Sequence, residues 1–138
     1  MTLLDTGPLI ALFDARERAH GRARQAMRRE RPPVVTTTPV LTEAFYFLSE
    51  SSAGSRALRQ FLRAAGLTVW HFDARGLQRA MELMETYADH PMDFADASLV
   101  VAAESLRTRR IMTLDYRDFA AYRVRQGHRS LAFQIVRC

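Results

Sequence analysis

Short apolar runs alternate with amphipathic stretches from one end of the chain to the other. Thr2 to Asp5 reads as a first strand, and Gly7-Pro8 opens a helix carrying Leu9, Ile10, Leu12 and Phe13. A polar break over Asp14 to Glu17 leads to an arginine-rich helix from Arg18 to Arg29. Arg31-Pro32-Pro33 stops it, because proline cannot continue a helix. The β-branched Val34 to Thr37 suits a buried strand, and Thr38 then caps a helix with Pro39 at its first position and its end at Glu50. After a turn over Ser51 to Ser55, Leu58, Phe61 and Leu62 mark a helix closed by Gly66. Leu67 to Phe72 predicts a third strand. Asp73 caps a helix through Tyr87, with Leu77, Ala80, Met81 and Met84 at helical spacing. Asp93 to Arg107 is a helix that is apolar nearly all round from Phe94 to Ala103, as a fully buried helix should be. Ile111 to Leu114 is a fourth strand, Asp118 to Tyr122 a short helix, and Leu131 to Val136 a fifth strand.

Strands separated by helices imply crossover connections and a mainly parallel five-stranded sheet with helices on both faces, a three-layer α/β domain. No repeat, low-complexity tract or linker divides residues 1–138, so a single domain is expected. In such sheets ligands sit beyond the carboxyl ends of the strands, where the strand order reverses.

Four carboxylates break this apolar pattern. Asp5 and Asp115 end the first and fourth strands, Glu43 lies about one turn into its helix, and Asp96 interrupts the most apolar helix of the chain. Val40 and Phe47 share the stripe of Glu43, which should turn its side chain toward the protein. Helix starts and strand ends meet at one edge of a parallel α/β fold, so the four acids are placed to converge. A buried carboxylate is costly unless a cation or donors compensate it. Oxygen ligands with no convergent histidine or cysteine suit Mg²⁺ or Mn²⁺. Such ions generate a nucleophilic hydroxide and stabilise charge on a phosphodiester, with two ions roughly 4 Å apart clamping both oxygens. Glu43 or Asp115 is placed to orient or deprotonate the attacking water.

Each acid also has a local reading. Asp5 before Thr6-Gly7 suits a turn, and Asp93 suits an N-cap with Asp96 in capping-box register, alongside a role for Asp93 as an additional metal ligand. Asp96 also fits a first-turn dipole partner, and Asp115 a cap for the short helix after it. Asp118 is expected to be a cap or a surface residue. Thr6 and Thr113 are hydroxyls beside the acids, ready to bond a ligand or the local backbone. His20, His71, His90 and His128 have no metal-ligand spacing and are expected to be structural or exposed. Ser98 lacks a nucleophile-elbow motif, and the glycines form no phosphate-cradling loop.

Composition narrows the partners. The net charge is +5 and all 20 basic residues are arginine, which removes Schiff-base lysine chemistry and the P-loop lysine. Arginine forks suit phosphate. Arg16, Arg18 and Arg22, with Arg24, Arg28 and Arg29 beyond them, are the expected holders of a nucleic-acid backbone. The single cysteine, Cys138, permits no disulfide framework or cysteine zinc site. No apolar run approaches a membrane span and no signal-like leader is visible, so no membrane partner and a cytoplasmic location are expected.

Four segments taken in order resemble a known family. Leu3-Leu4-Asp5-Thr6-Gly7-Pro8-Leu9-Ile10-Ala11-Leu12, then Thr36-Thr37-Thr38-Pro39-Val40-Leu41-Thr42-Glu43, then Met92-Asp93-Phe94-Ala95-Asp96-Ala97-Ser98-Leu99, then Thr113-Leu114-Asp115-Tyr116-Arg117-Asp118-Phe119 resemble the acidic motifs of PIN-domain nucleases, nearest to VapC-like toxins. The resemblance implies a Mg²⁺- or Mn²⁺-dependent endoribonuclease that forms a homodimer and is neutralised by an antitoxin. Residue by residue it maps the family's acids onto Asp5, Glu43, Asp96 and Asp115 and its hydroxyl positions onto Thr6 and Thr113. His20 also matches a position often occupied by histidine there. Asp93 is an acid that many members lack. Two other readings compete: a PIN-type nuclease of RNA maturation or decay with no toxin role, and a non-catalytic RNA- or protein-binding module.

Overall fold

The computed structural model describes residues 1–138. Its strands and helices run β1 (Thr2–Leu4), α1 (Thr6–Phe13), α2 (His20–Arg29), β2 (Val34–Thr37), α3 (Thr38–Leu48), α4 (Ala53–Arg63), β3 (Thr68–Trp70), α5 (Ala74–Thr86), α6 (Phe94–Leu106), β4 (Arg110–Thr113), α7 (Tyr116–Ala121), β5 (Arg123–Gln126), β6 (Arg129–Ala132) and β7 (Gln134–Arg137). Five strands form one sheet in the order β3-β2-β1-β4-β7, every pair parallel. The expected three-layer α/β architecture is therefore the one observed. The chain works outward from β1 to β3, then returns across β1 to β4. The order reverses between β1 and β4, so those two strands open the crevice where a ligand belongs.

The core follows from the apolar runs. Leu3, Leu4, Val35, Ile111 and Met112 are fully or almost fully buried, and β1 is buried at every position because a parallel sheet is covered on both faces. Helix α6 buries Ala95, Ala97, Ser98, Leu99, Val100, Val101, Ala102 and Ala103, and packs against α3, α5, β2 and β5. Its small side chains allow neighbours to approach on all sides.

Several boundaries move. The expected strand Leu131–Val136 is two strands. Phe133 is buried against Phe119 (ring centroids 5.4 Å apart) and breaks the run: β6 pairs antiparallel with β5, while β7 joins β4. The β5–β6 hairpin has no counterpart among the expected elements; Gly127 at φ +61° supplies its tight turn. Thr37, not Thr38, is the N-cap of α3, with its hydroxyl accepting from Val40 N; α3 ends at Leu48 rather than Glu50. Helix α7 starts at Tyr116, before the expected Asp118, because Asp115 caps it. Helix α2 starts at His20, leaving Arg18 in the preceding turn. Strand β3 keeps only the centre of Leu67–Phe72.

One close approach has a measurable consequence. A Cβ on Gly54, in the first turn of α4, would lie 2.5 Å from the carbonyl oxygen of Phe13 at the end of α1. Backbone cannot yield there as a flexible side chain can. Gly54→Ala is expected to destabilise the fold by about 1–3 kcal/mol despite alanine's better helix propensity, as read by denaturant unfolding. A neutral or stabilising result would refute this packing.

Candidate active site

The site is built outward from Asp5. Its backbone N–H continues the β1–β4 ladder by donating to Met112 O (3.1 Å), so the side chain emerges at the end of the central strand. There it is buried, with one carboxylate oxygen accepting from Thr6 N (2.7 Å) and the other from the Thr113 hydroxyl (2.7 Å). Thr113 Oγ1 in turn accepts from Asp115 N (2.9 Å), so one hydroxyl ties the ends of the two switch-point strands together. The Thr6 hydroxyl donates to Glu43 Oε1 (3.0 Å), tying α3 to α1. Both threonines named from sequence thus orient acids.

Asp93 and Asp96 form a reciprocal capping box on α6. Asp96 N donates to Asp93 Oδ1 (2.8 Å), and Asp93 N donates to Asp96 Oδ2 (3.4 Å). The cap reading of Asp93 is correct, and it does not remove the residue from the site. The charges of Asp93 and Asp115 act on Asp5, that of Asp93 acts on Glu43, and those of Asp93 and Asp5 act on Asp96. Asp115 doubles as the N-cap of α7, accepting from Asp118 N (3.3 Å).

Electrostatically the cluster is under-compensated. Burial, opposed by the Thr113 and Thr6 hydrogen bonds, pushes the Asp5 carboxyl up to about 6. Burial and then the charges of Asp93 and Asp5 push Asp96 up to about 8. Glu43 rises through burial and Asp93, and Asp115 through burial and its neighbour Asp118. No salt bridge reaches Asp5, Glu43, Asp93, Asp96 or Asp115, while the arginine pairs go elsewhere: Arg16 to Asp14, Arg79 to Glu82 and Glu104, Arg110 to Glu30. A chain with 20 arginines leaves its central acids without one.

The set is all oxygen, as Mg²⁺ or Mn²⁺ requires. No three His, Cys, Asp or Glu side chains stand in a ready-made ligand arrangement. The donor chemistry is of the kind a divalent ion takes, and Asp5, Asp96 and Glu43 are the residues that would hold it.

Other site residues escaped the sequence reading. Tyr122 is buried, and its hydroxyl lies 3.1 Å from both Asp96 Oδ2 and Pro91 O. The single Tyr122 proton is placed to donate toward either acceptor, which ties the first turn of α6 to the segment before it. Its only sequence signal was an aromatic at the end of a short helix. Ser98 and Thr37 form a buried relay: Val40 N to Thr37 Oγ1 (3.4 Å), Thr37 to Ser98 Oγ (2.6 Å), Ser98 to Ala95 O (2.6 Å). The relay pins the start of α3, which carries Glu43, to the start of α6, which carries Asp96. His90 Nε2 stands 2.6 Å from Asp118 Oδ1 without hydrogen-bond geometry. Asp118 is therefore more than a surface residue.

The structure separates the arginines. Arg16 is held by Asp14, with Nε–Oδ1 3.1 Å and Nη2–Oδ2 3.2 Å. Arg18 is exposed, and Arg22 acts on Cys138, which packs near Leu114 at the same sheet edge as the acids. Arg24 and Arg28 flank an apolar groove of Leu12, Phe13, Met27 and Phe61, and Arg29 lies by Thr2 at the opposite edge. His20 serves structure: its Nδ1 lies 2.6 Å from Ala11 O. Phe47, assigned with Glu43 to an inward stripe, is 59% exposed.

The PIN domain family matches residues 2–124. The chain belongs to the PIN-domain family. It is 32% identical over 130 residues to the ribonuclease VapC26 of Mycobacterium tuberculosis, covering 92% of this chain and 96% of that relative. Among solved structures it resembles the sarcin–ricin-loop-cleaving toxin VapC20 of the same organism (TM-score 0.80, 22% identity, 88% of this chain and 95% of that one). It also resembles a chain of a toxin–antitoxin complex from Klebsiella pneumoniae (TM-score 0.69, 21% identity, 88% and 92%). At those identities the structural likeness speaks for the PIN fold.

Proposed function

We infer that this PIN domain is a Mg²⁺- or Mn²⁺-dependent endoribonuclease acting as the VapC-type toxin of a toxin–antitoxin pair. The observation that carries the reading is Asp5: a buried carboxylate at the end of the central strand, oriented by Thr6 and Thr113, within the field of Asp93, Asp96 and Asp115 and with no arginine paired to it. The ribonuclease relative at 32% identity supplies the chemistry, and the complex from Klebsiella pneumoniae supplies the kind of partner.

Asp5 and Asp96 are the first ligands of the ion, Glu43 the next, and Asp115 and Asp93 complete the acidic surround. The bound ion supplies Lewis-acid stabilisation of the phosphodiester and a more acidic water. The protein's own contributions are positional. Thr113 and Thr6 hold the two Asp5 oxygens, Thr6 aims Glu43, and the Thr37–Ser98 relay fixes the separation of α3 and α6. Glu43, only partly buried, is placed to accept a proton from water at the mouth of the site. Arg18 and Arg22, unlike Arg16, are free of carboxylate partners for the RNA backbone.

The deciding experiment incubates the purified protein with structured RNAs in EDTA, Mg²⁺ and Mn²⁺. Cleavage with either ion and none in EDTA is expected. Binding without cleavage in every ion would overturn the enzyme reading in favour of a binding module. In cells, overexpression of the active protein is expected to arrest growth, and co-expression of an upstream-encoded antitoxin to relieve it. Harmless overexpression of active nuclease would move the protein to RNA maturation or decay.

The same reading includes a cytoplasmic homodimer. Tyr46 and Phe47 at the end of α3 are 79% and 59% exposed and pack edge-on, with centroids 5.3 Å apart. Two adjoining aromatics in water favour a self-complementary contact. Light scattering is expected to show a dimer that Tyr46→Asp, Phe47→Asp converts to a monomer; an unchanged mass would exclude this face.

A further inference from the structure

Beside the acids lies a cavity of about 600 Å³ that metal chemistry does not use. Its apolar walls are Phe72, Phe94 and Pro39, its hydroxyls are Thr38 and Thr42, and Glu43 and Asp93 stand on its border with the acidic cluster. Phe72 and Phe94 are stacked, with centroids 5.3 Å apart and planes 22° from parallel; behind them the edge of Trp70 meets Phe72 at 5.1 Å. Phe94 is 39% exposed even though it opens the most buried helix of the chain. Thr42 spends its proton on Thr38 O and keeps an acceptor oxygen, and the Thr38 hydroxyl makes no bond to the protein. An open aromatic face, a second aromatic supporting it and two hydroxyls are the parts that bind a planar, hydrogen-bonding ring.

We propose that this cavity is a base-binding subsite, in which one unpaired nucleobase of the RNA stacks on Phe94 and is bonded by Thr38 and Thr42. The proposal rests on the nuclease reading above. Three features favour a base over other occupants. The volume lies in the range of small-ligand pockets. The rim carboxylates repel a phosphate but accept from the amino and imino groups of a base. The cavity is also continuous with the acids through Glu43 and Asp93, so a base held there brings its own backbone to the cleavage site. Because a paired base cannot leave its stack to enter, the subsite selects single-stranded segments, loops and bulges. It therefore acts as a specificity element.

Trp70 is the only tryptophan of the chain and touches Phe72, so its fluorescence reports occupancy without catalysis. The test titrates the protein in EDTA with a six-nucleotide single-stranded RNA, the same RNA annealed into a duplex, and versions carrying one abasic position each. Expected are a saturable change in Trp70 emission with the single strand, no change with the duplex, and loss of the change for one abasic position. Phe94→Tyr should bind like the natural protein. Phe94→Ala and Phe94→Leu should both bind about ten- to a hundred-fold more weakly, the range for one lost base stack. Equal binding by Phe94→Leu, equal binding of the duplex, or indifference to every abasic position would overturn the proposal. Phe94 variants that lose a protein partner yet bind RNA normally would assign the cavity to a protein segment instead. The two readings fail separately: Phe94-dependent binding with no cleavage in any ion sinks only the nuclease, and cleavage with unaffected Phe94 variants sinks only the subsite.

Discussion

The Asp5→Asn, Asp96→Asn variant is expected to cleave RNA at least about a thousandfold more slowly than the natural protein, because under the proposed function these two would be the firmest ligands of an ion whose charge stabilisation is worth several kcal/mol in the transition state. The same variant should fold. Asn at position 5 keeps an oxygen for Thr6 N, and its amide can donate to Thr113 Oγ1 where the carboxylate accepted. The metal-free variant should melt above the natural protein at pH 8, since each change replaces a carboxylate whose charge the fold disfavours, buried at Asp5 and half-buried at Asp96, with a neutral group of the same shape. Lower activity together with higher stability separates a functional acid from a structural one. Cleavage at the natural rate would sink the metal assignment, and a variant that unfolds would make these acids structural.

The metal-free protein should lose stability steadily as pH rises, the reverse of the common acid-labile pattern. Asp5 and Asp96 start from 3.8, and the fold raises them to about 6 and about 8. Between those limits the folded protein holds protons that the unfolded chain has released, so unfolding stability falls with pH from about 4 until Asp96 has ionised near 8. Below about 4 these two carboxyls are protonated in both states and their contribution to the dependence vanishes. Under the proposed function a divalent cation would bind the ionised acids, so its gain should be larger at pH 8 than at pH 5. At a hundredfold excess over Kd that gain is about 2.7 kcal/mol, on the order of 10 °C in melting temperature for a chain of this length. Thermal melts at pH 5 and pH 8, in EDTA and in Mn²⁺, measure all four corners. A melting temperature flat from pH 4.5 to 8.5, or an equal Mn²⁺ gain at both, would refute the electrostatic account.

Much of this site was visible as misplaced charge. Asp5, Glu43, Asp96 and Asp115 stood out because each interrupts residues that a parallel α/β fold buries, and Thr6 and Thr113 because they adjoin two of those acids. The arginines were the weaker inference. Composition showed their number, but pairing with Asp14, Glu30, Glu82 and Glu104 withdraws some of them, and the fold carries Arg29 to the far edge. Tyr122 and the Thr37–Ser98 pair were not legible as site residues, because their partners lie 26 and 61 positions away. No local period encodes such pairings.

The sequence by itself determined the class of fold, the membership of the acid set and its oxygen-only chemistry. Those depend on local period and residue type, which a linear reading preserves. It could not place the final strand, because Phe133 breaks Leu131–Val136 only when Phe119 is there to receive it. It could not show that Asp93 is at once a cap and a neighbour of Asp5, or that Phe72 and Phe94, 22 positions apart, stack beside Glu43. Hydrogen-bond direction, burial and like-charge repulsion depend on distances in space, and the tertiary structure alone sets those. The acids were legible in the sequence; that the arginine pairs form elsewhere was decided by the fold.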